Sequence, residues 1–96
     1  MVAIVAKLKA KPGKEKELEE VITKLTREVR DKEQDCIMYE PYVLREDPSE
    51  IMVIEKYKND EAIDYHRSTS HYIAAKEKFQ ELLREAPEVN ILDELS

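Results

Sequence analysis

The spacing of apolar residues along this 96-residue chain switches between a period of two and a helical period, and the order of the switches restricts the fold most. Four segments rich in Val, Ile, Met and Tyr predict strands: residues 2–9, 36–44, 51–57 and 89–95. Three segments predict helices: residues 14–32, 59–67 and 73–86. Gly13 and four prolines supply the breaks, and a polar loop over residues 45–50 joins the middle strands as a hairpin.

This order, strand, helix, strand, strand, helix, strand, predicts a ferredoxin-like α+β fold with an antiparallel sheet. Both helical regions then lie on the same face of the sheet. The length allows one domain, residues 1–96.

The predicted strands are apolar on both sides, although a sheet face in water should alternate apolar with polar residues. No helix remains to cover the second face. Six side chains would be left uncovered: Ala3, Val5, Met38, Tyr42, Met52 and Ile54. A patch of roughly several hundred Å² is larger than most monomers expose. The pattern therefore predicts a homodimer through the sheet faces, a dimeric α+β barrel.

Charge and composition exclude several classes of partner. The chain has 16 Lys and Arg against 22 Asp and Glu, a net charge of −6, and no basic patch, so we expect no nucleic acid. The longest apolar run, residues 1–6, is too short for a membrane helix or a signal core, which predicts a cytoplasmic protein without a membrane partner. Cys36 is the only cysteine, which excludes an internal disulfide and a cysteine-based zinc site.

Residues 55–72 concentrate the chemistry, with both histidines and three of the five tyrosines. His66 and His71 are five positions apart, whereas two ligands on one helical face need a spacing of 3 or 4, so no metal site is expected. Ser68 and Ser70 lack the glycine turn of a serine hydrolase and are predicted to cap helices.

The same segment resembles the antibiotic biosynthesis monooxygenase superfamily, which has Glu-x-[Trp/Tyr]-x-[Asn/Asp]-x-x-Ala, then His, then Ser/Thr-x-His-[Phe/Tyr]. The matching positions are Glu55, Tyr57, Asn59, Ala62, His66, Ser68 or Thr69, His71 and Tyr72. Weaker agreement covers residues 5–14 and 33–40, where Gln34 and Asp35 replace a common proline and glycine.

The resemblance implies a small dimeric barrel with a pocket between sheet and helices. It implies cofactor-independent oxidation of a small phenolic, quinol or polyketide-like metabolite. A related isomerase of a small phosphorylated diketone and a non-catalytic small-molecule-binding dimer are the alternatives. In the haem-degrading branch the iron-binding histidine falls at Lys76 and the distal tryptophan at His66, so haem is not expected. No Gly-rich phosphate loop or flavin signature indicates a bound nucleotide, so no cofactor is expected.

His66 is the predicted catalytic base, because an unperturbed imidazole titrates near pH ~6.5; the alternative is a polar residue packed between helix and sheet. Glu40 and Glu55 are predicted to assist it. If the hairpin is symmetric about residues 47–48, these two carboxylates face each other, which would raise the pKa of one. A slip of one residue would separate them.

The remaining residues predicted to contact substrate are Tyr39, Tyr57, His71 and Tyr72. Two of these, Tyr39 and Tyr57, also suit a role as core aromatics.

Overall fold

The chain folds into four strands and three helices, as described for residues 1–96 by a computed structural model. In chain order the elements are β1 (Val2–Lys9), α1 (Glu15–Lys32), β2 (Cys36–Leu44), β3 (Asp47–Tyr57), α2 (Asp60–Ser68), α3 (Ser70–Leu82) and β4 (Glu88–Asp93). The strands form one sheet in the order β2-β3-β1-β4, and every neighbouring pair is antiparallel. This confirms the predicted ferredoxin-like α+β fold.

Helix α1 provides most of the cover for one face of the sheet. Its buried residues follow one stripe, at spacings of four, three and four: Leu18, Ile22, Leu25 and Val29. They pack against a core that includes Leu8 from β1 and Val53 from β3. Gly13, with a φ of +84°, turns the chain from β1 into the helix.

The hairpin differs from the prediction in length and in register. Strand β3 begins at Asp47, so most of the predicted loop over residues 45–50 is strand. Leu44 pairs with Asp47, and an irregularity between Val43 and Leu44 then shifts the pairing. The extra residues of β3 are absorbed in this bulge.

Because of that shift, Glu55 lies opposite Tyr39, and Glu40 lies opposite Ile54. The predicted pairing of Glu40 with Glu55 was therefore wrong by one position. Since side chains alternate across a strand, a slip of one position places Glu40 on the other face of the sheet from Glu55. There its carboxylate accepts a hydrogen bond of 2.6 Å from the Tyr42 hydroxyl.

Helices α2 and α3 are separated by a sharp break at Thr69. Thr69 has extended backbone angles, and its hydroxyl oxygen accepts from the backbone N–H of Tyr72 at the start of α3. The predicted second helical segment reached residue 86, but α3 ends at Leu82. Leu83 instead forms an isolated bridge with Ala10, which fastens the end of α3 beside the end of β1.

The sheet face away from the helices carries the residues predicted to be uncovered. Ala3, Val5, Met52 and Ile54 are half-buried by their strand neighbours, and Tyr42 is 52% exposed. Leu92 of β4 adds to them at 47% exposed. We call this set, with Met38, the open face.

Truncation of Leu18 should lower the free energy of unfolding by about 3 kcal/mol, because this side chain is fully buried and its loss leaves a cavity. The measurement is urea unfolding of Leu18→Ala, with the exposed neighbour Glu19→Ala as the matched control. The control should change the free energy of unfolding by less than about 0.5 kcal/mol. Equal effects in the two variants would contradict the packing described for α1.

Candidate functional site

A cavity of about 490 Å³ lies between the sheet and the helices. Its walls are mainly apolar: Ile4, Ala6 and Leu8 from β1, Ile22 and Leu25 from α1, Phe79 from α3, and Val89 from β4. This volume lies in the range of small-molecule sites, which combine apolar walls with a few polar groups. The polar groups at one end come from Tyr39, Glu55, His66, Arg67 and Tyr72.

His66 is held at the cavity by a buried carboxylate. Its Nδ1 lies 3.0 and 2.9 Å from the two carboxylate oxygens of Glu33, and both side chains are at most 5% exposed. A carboxylate can only accept, so Nδ1 carries the proton and donates. This fixes the tautomer of the ring and leaves the Nε2 lone pair free.

The free Nε2 of His66 is reached from the cavity. Every fully buried side-chain nitrogen and oxygen of the protein has a hydrogen-bond partner. Nε2 has no partner, so this atom is not fully buried. His66 lines the cavity, so the unpartnered nitrogen opens onto it. Three tyrosine rings surround the imidazole at centroid distances of 4.8 to 5.7 Å: Tyr39, Tyr57 and Tyr72.

Glu55 is the second titratable group at this end of the cavity. One of its oxygens accepts a hydrogen bond of 2.6 Å from the Tyr57 hydroxyl. Burial raises the pKa of Glu55, and the hydrogen bond from Tyr57 offsets only part of that effect. Glu55 therefore holds a proton more readily than an exposed carboxyl group does.

The structure brings some of the predicted site residues together and separates others. Tyr39 and Tyr72 line the cavity with His66 and Glu55. Tyr57 is fully buried behind Glu55 and does not line it. Glu40 lies on the opposite sheet face, and His71 points to Glu33 rather than to the cavity.

The two histidines lie closer to each other than their spacing in the sequence predicted. His71 Nε2 lies 2.6 Å from Glu33 Oε2, the same oxygen that contacts His66. The break at Thr69 turns α3 relative to α2, so the two residues do not lie on one continuous helix. The ligand-type atoms of Glu33, His66 and His71 all lie within 4.8 Å of one another. The spacing of five positions in the sequence therefore does not keep the two histidines apart.

Glu33 is a site residue that the sequence did not predict. It is the residue that ends α1, and its own N–H donates to the Val29 carbonyl. Burial raises the pKa of Glu33, but the hydrogen bonds from His66 and His71 and their electrostatic attraction for the carboxylate outweigh burial and hold the pKa below the usual value. In the sequence it stands in an acidic run, residues 33–35, and nothing there marks which carboxylate is buried.

Cys36 is close to the two carboxylates but is not activated. Burial and the negative charges of Glu33 and Glu55 raise the pKa of its thiol to about 12. A thiol that stays protonated is a poor nucleophile.

Comparison with known proteins assigns the family. The sequence profile of the family described as antibiotic biosynthesis monooxygenase matches residues 1–88. The chain belongs to the antibiotic biosynthesis monooxygenase family. None of the curated proteins matches its sequence. None of the three helices is long and apolar enough to cross a membrane.

Solved structures agree with this family member in fold. Rv0793 from Mycobacterium tuberculosis is 26% identical, with a TM-score of 0.92 over 99% of this chain and 95% of its own. A conserved protein from Methanosarcina mazei Go1 is 30% identical, with a TM-score of 0.87 over 95% of this chain and 89% of its own. PA3566 from Pseudomonas aeruginosa is 25% identical, with a TM-score of 0.91 over 99% of this chain and 94% of its own.

Substitution of Glu55 by Gln should raise the stability of the protein near neutral pH. When the pKa of a carboxyl group in the folded protein lies above its ordinary value of 4.5, the stability of the protein falls as the pH rises through the folded pKa. The glutamine carbonyl can still accept from Tyr57, so only the charge is removed. Denaturant unfolding at a series of pH values should show the gain near pH ~7 and its disappearance near pH ~4.

The matched control is Glu61→Gln, an exposed carboxylate on α2. It should show no pH-dependent difference from the unsubstituted protein. A loss of stability in Glu55→Gln near neutral pH would contradict the raised pKa.

Proposed function

We propose that this protein is a cofactor-independent monooxygenase that oxidises a small phenolic, quinol or polyketide-like metabolite in the cavity. The observation that carries the proposal is the free Nε2 of His66, which faces an apolar cavity while Glu33 holds Nδ1. Membership of the family supports it. A base in a water-poor pocket is what such an oxidation needs, because the substrate reacts with oxygen only after it loses a proton.

In the proposed reaction the substrate itself supplies the two electrons that reduce the second oxygen atom to water, so no external reductant is needed. His66 Nε2 removes a proton from an activated CH₂ or phenolic group, and Glu33 stabilises the imidazolium that results. The anion adds O₂, and the imidazolium returns its proton, which gives a hydroperoxide. Loss of water then leaves a carbonyl, so one oxygen atom enters the product and the other leaves as water. Glu55, with its raised pKa, can donate the proton that the departing hydroxide requires. His66 Nε2 takes the remaining C–H proton as the carbonyl forms, and return of that proton to Glu55 restores the starting state.

The walls of the cavity suit an apolar, aromatic substrate. Apolar side chains cover its sides, while Tyr39 and Tyr72 stand beside His66. Neither tyrosine hydroxyl has a partner within the protein, and neither is sealed from solvent, so both can donate to a substrate oxygen. This supports the predicted role of the two residues as substrate contacts.

The isomerase alternative has one observation in its favour. Arg67 and Lys76 line the cavity, and neither forms an ion pair within 4 Å. Two free cationic groups suit a phosphorylated substrate. Such an isomerase would use the same base to move a proton next to a carbonyl. It would exchange that proton with solvent deuterium without oxygen.

We propose that the protein works as a homodimer in the cytoplasm. The apolar residues of the open face support pairing, because no helix of the same chain covers them. Two sheets packed face to face about a two-fold axis would remove them from water. The lone cysteine, which forms no disulfide, fits a reducing compartment.

Replacement of His66 by Ala should lower the rate of oxygen uptake by about 10²- to 10⁴-fold, the usual contribution of a general base. The measurement is oxygen consumption with a panel of hydroquinones and anthrones. Asp64→Ala, an exposed change on the same helix, is the control and should keep the full rate. No uptake by the unsubstituted protein, or an unchanged rate in His66→Ala, would remove the proposal.

A charge on the open face should separate the dimer. Sedimentation velocity at micromolar concentration should give a dimer for the unsubstituted protein and a folded monomer for Val5→Asp, because burying a carboxylate in an apolar interface is costly. Ala74→Asp, which adds the same charge to an exposed position on α3, should remain dimeric. A monomeric unsubstituted protein would refute pairing through this face.

A further inference from the structure

Beyond the proposed oxidation, we propose that Glu33, His66 and His71 form a binding site for a divalent transition-metal ion such as Zn²⁺. The three side chains come from the end of α1, from α2 and from α3, and each is at most 5% exposed. Two imidazoles and one carboxylate are a common ligand set for zinc and for ferrous iron. Nothing about the oxidation requires this site.

The distances between the three groups are close to those of a coordination sphere. Bonds of about 2.0 to 2.1 Å to a tetrahedral zinc ion place its ligand atoms about 3.3 Å apart. The histidine nitrogens lie 2.9 and 2.6 Å from Glu33 Oε2, and all three ligand atoms lie within 4.8 Å of one another. To admit the ion, the two short distances to Glu33 would open by about half an ångström, and the widest separation would close toward about 3.3 Å.

The surroundings of His71 place a carboxylate near each of its two ring nitrogens. Glu33 Oε2 faces its Nε2 at 2.6 Å, and Glu28 Oε2 lies 3.9 Å from its Nδ1. A neutral imidazole has one N–H and can donate to only one of these carboxylates, so the two contacts together suit either a protonated ring or a cation bound at Nε2. A metal ion on Nε2 bridges His71 to Glu33 and leaves the N–H at Nδ1 directed at Glu28, the arrangement usual for a metal-bound histidine. Glu28 also pairs with Lys32 at 3.7 Å.

The ion has a route to the site. A second, polar cavity lies between the end of α1 and the start of α2, and Glu33, Asp35, Asn59 and Glu61 are among the residues that line it. Its acidic groups would attract a cation. Three protein ligands leave the fourth position of a tetrahedral ion for water.

A bound ion would also change what His66 can do. With the metal on Nδ1, the proton of the ring moves to Nε2, and that nitrogen no longer accepts one from a substrate. Binding at this site would therefore inhibit the proposed oxidation. Metal binding and oxidation are measured separately, so failure of one leaves the other standing.

The test is a titration of the untagged, chelator-treated protein with ZnCl₂, followed by calorimetry. We expect saturable binding of one ion per chain. In His71→Gln the affinity should fall by about tenfold or more. Glu77→Gln, which removes an exposed carboxylate of α3 that lines neither cavity, should bind within about twofold of the unsubstituted protein. Circular dichroism checks that each variant is folded.

A second measurement needs no substitution. The chain has two histidines, so the ¹⁵N imidazole spectrum of the labelled protein reports on this site directly. Zn²⁺ should shift Nδ1 of His66 and Nε2 of His71 together. Absence of saturable binding, equal affinity in His71→Gln, or binding that leaves both imidazole spectra unchanged would overturn the proposal.

Discussion

The candidate site depends on a single buried carboxylate. A charge removed from water must be paired, and Glu33 is paired twice, with His66 from α2 and with His71 from α3. Because Glu33 also ends α1, this one group ties the three helices together at one end of the sheet. The orientation of His66, its free nitrogen and its position at the cavity all follow from that contact.

The cavity owes its shape to elements far apart in the chain. Its base is β1 and β3, and its sides are α1 and α3. The bridge between Ala10 and Leu83 ends α3 early, so that Glu85, Ala86 and Pro87 border the cavity as irregular chain. An apolar chamber with a few polar groups at one end suits a reaction that begins with loss of a proton and must exclude water.

The fold could be predicted because the period of the apolar residues identifies each strand and helix, and their order allows few arrangements. The site could be predicted only in part. His66 and Glu55 stood out because their residue types sit in a familiar pattern. The closeness of His66 to His71 could not be predicted, since a spacing of five residues on a continuous helix places two side chains about 140° apart. The two side chains come together only because the helix breaks at Thr69, whose hydroxyl caps the start of α3.

The predicted pairing of Glu40 with Glu55 was wrong for a related reason. Hairpin register depends on the turn and on bulges, and the irregularity beside Leu44 cannot be recognised in a sequence whose polar residues run from 45 to 50. One position of slip moved Glu40 to the open face and put Tyr39 beside Glu55. Glu55 therefore owes its raised pKa first to burial, with a smaller contribution from the negative charge of Glu33 and none from Glu40.

Both edge strands of the sheet are protected against pairing with a strand of another molecule. The outer strand β2 contains Pro41, which has no amide hydrogen to offer an incoming strand. At the other margin β4 is exposed along its whole length, but it starts with Glu88 and ends with Asp93, and like charges repel on an identical neighbour. Strand-to-strand stacking through the edges is therefore disfavoured, which leaves the face of the sheet as the surface for the proposed dimer.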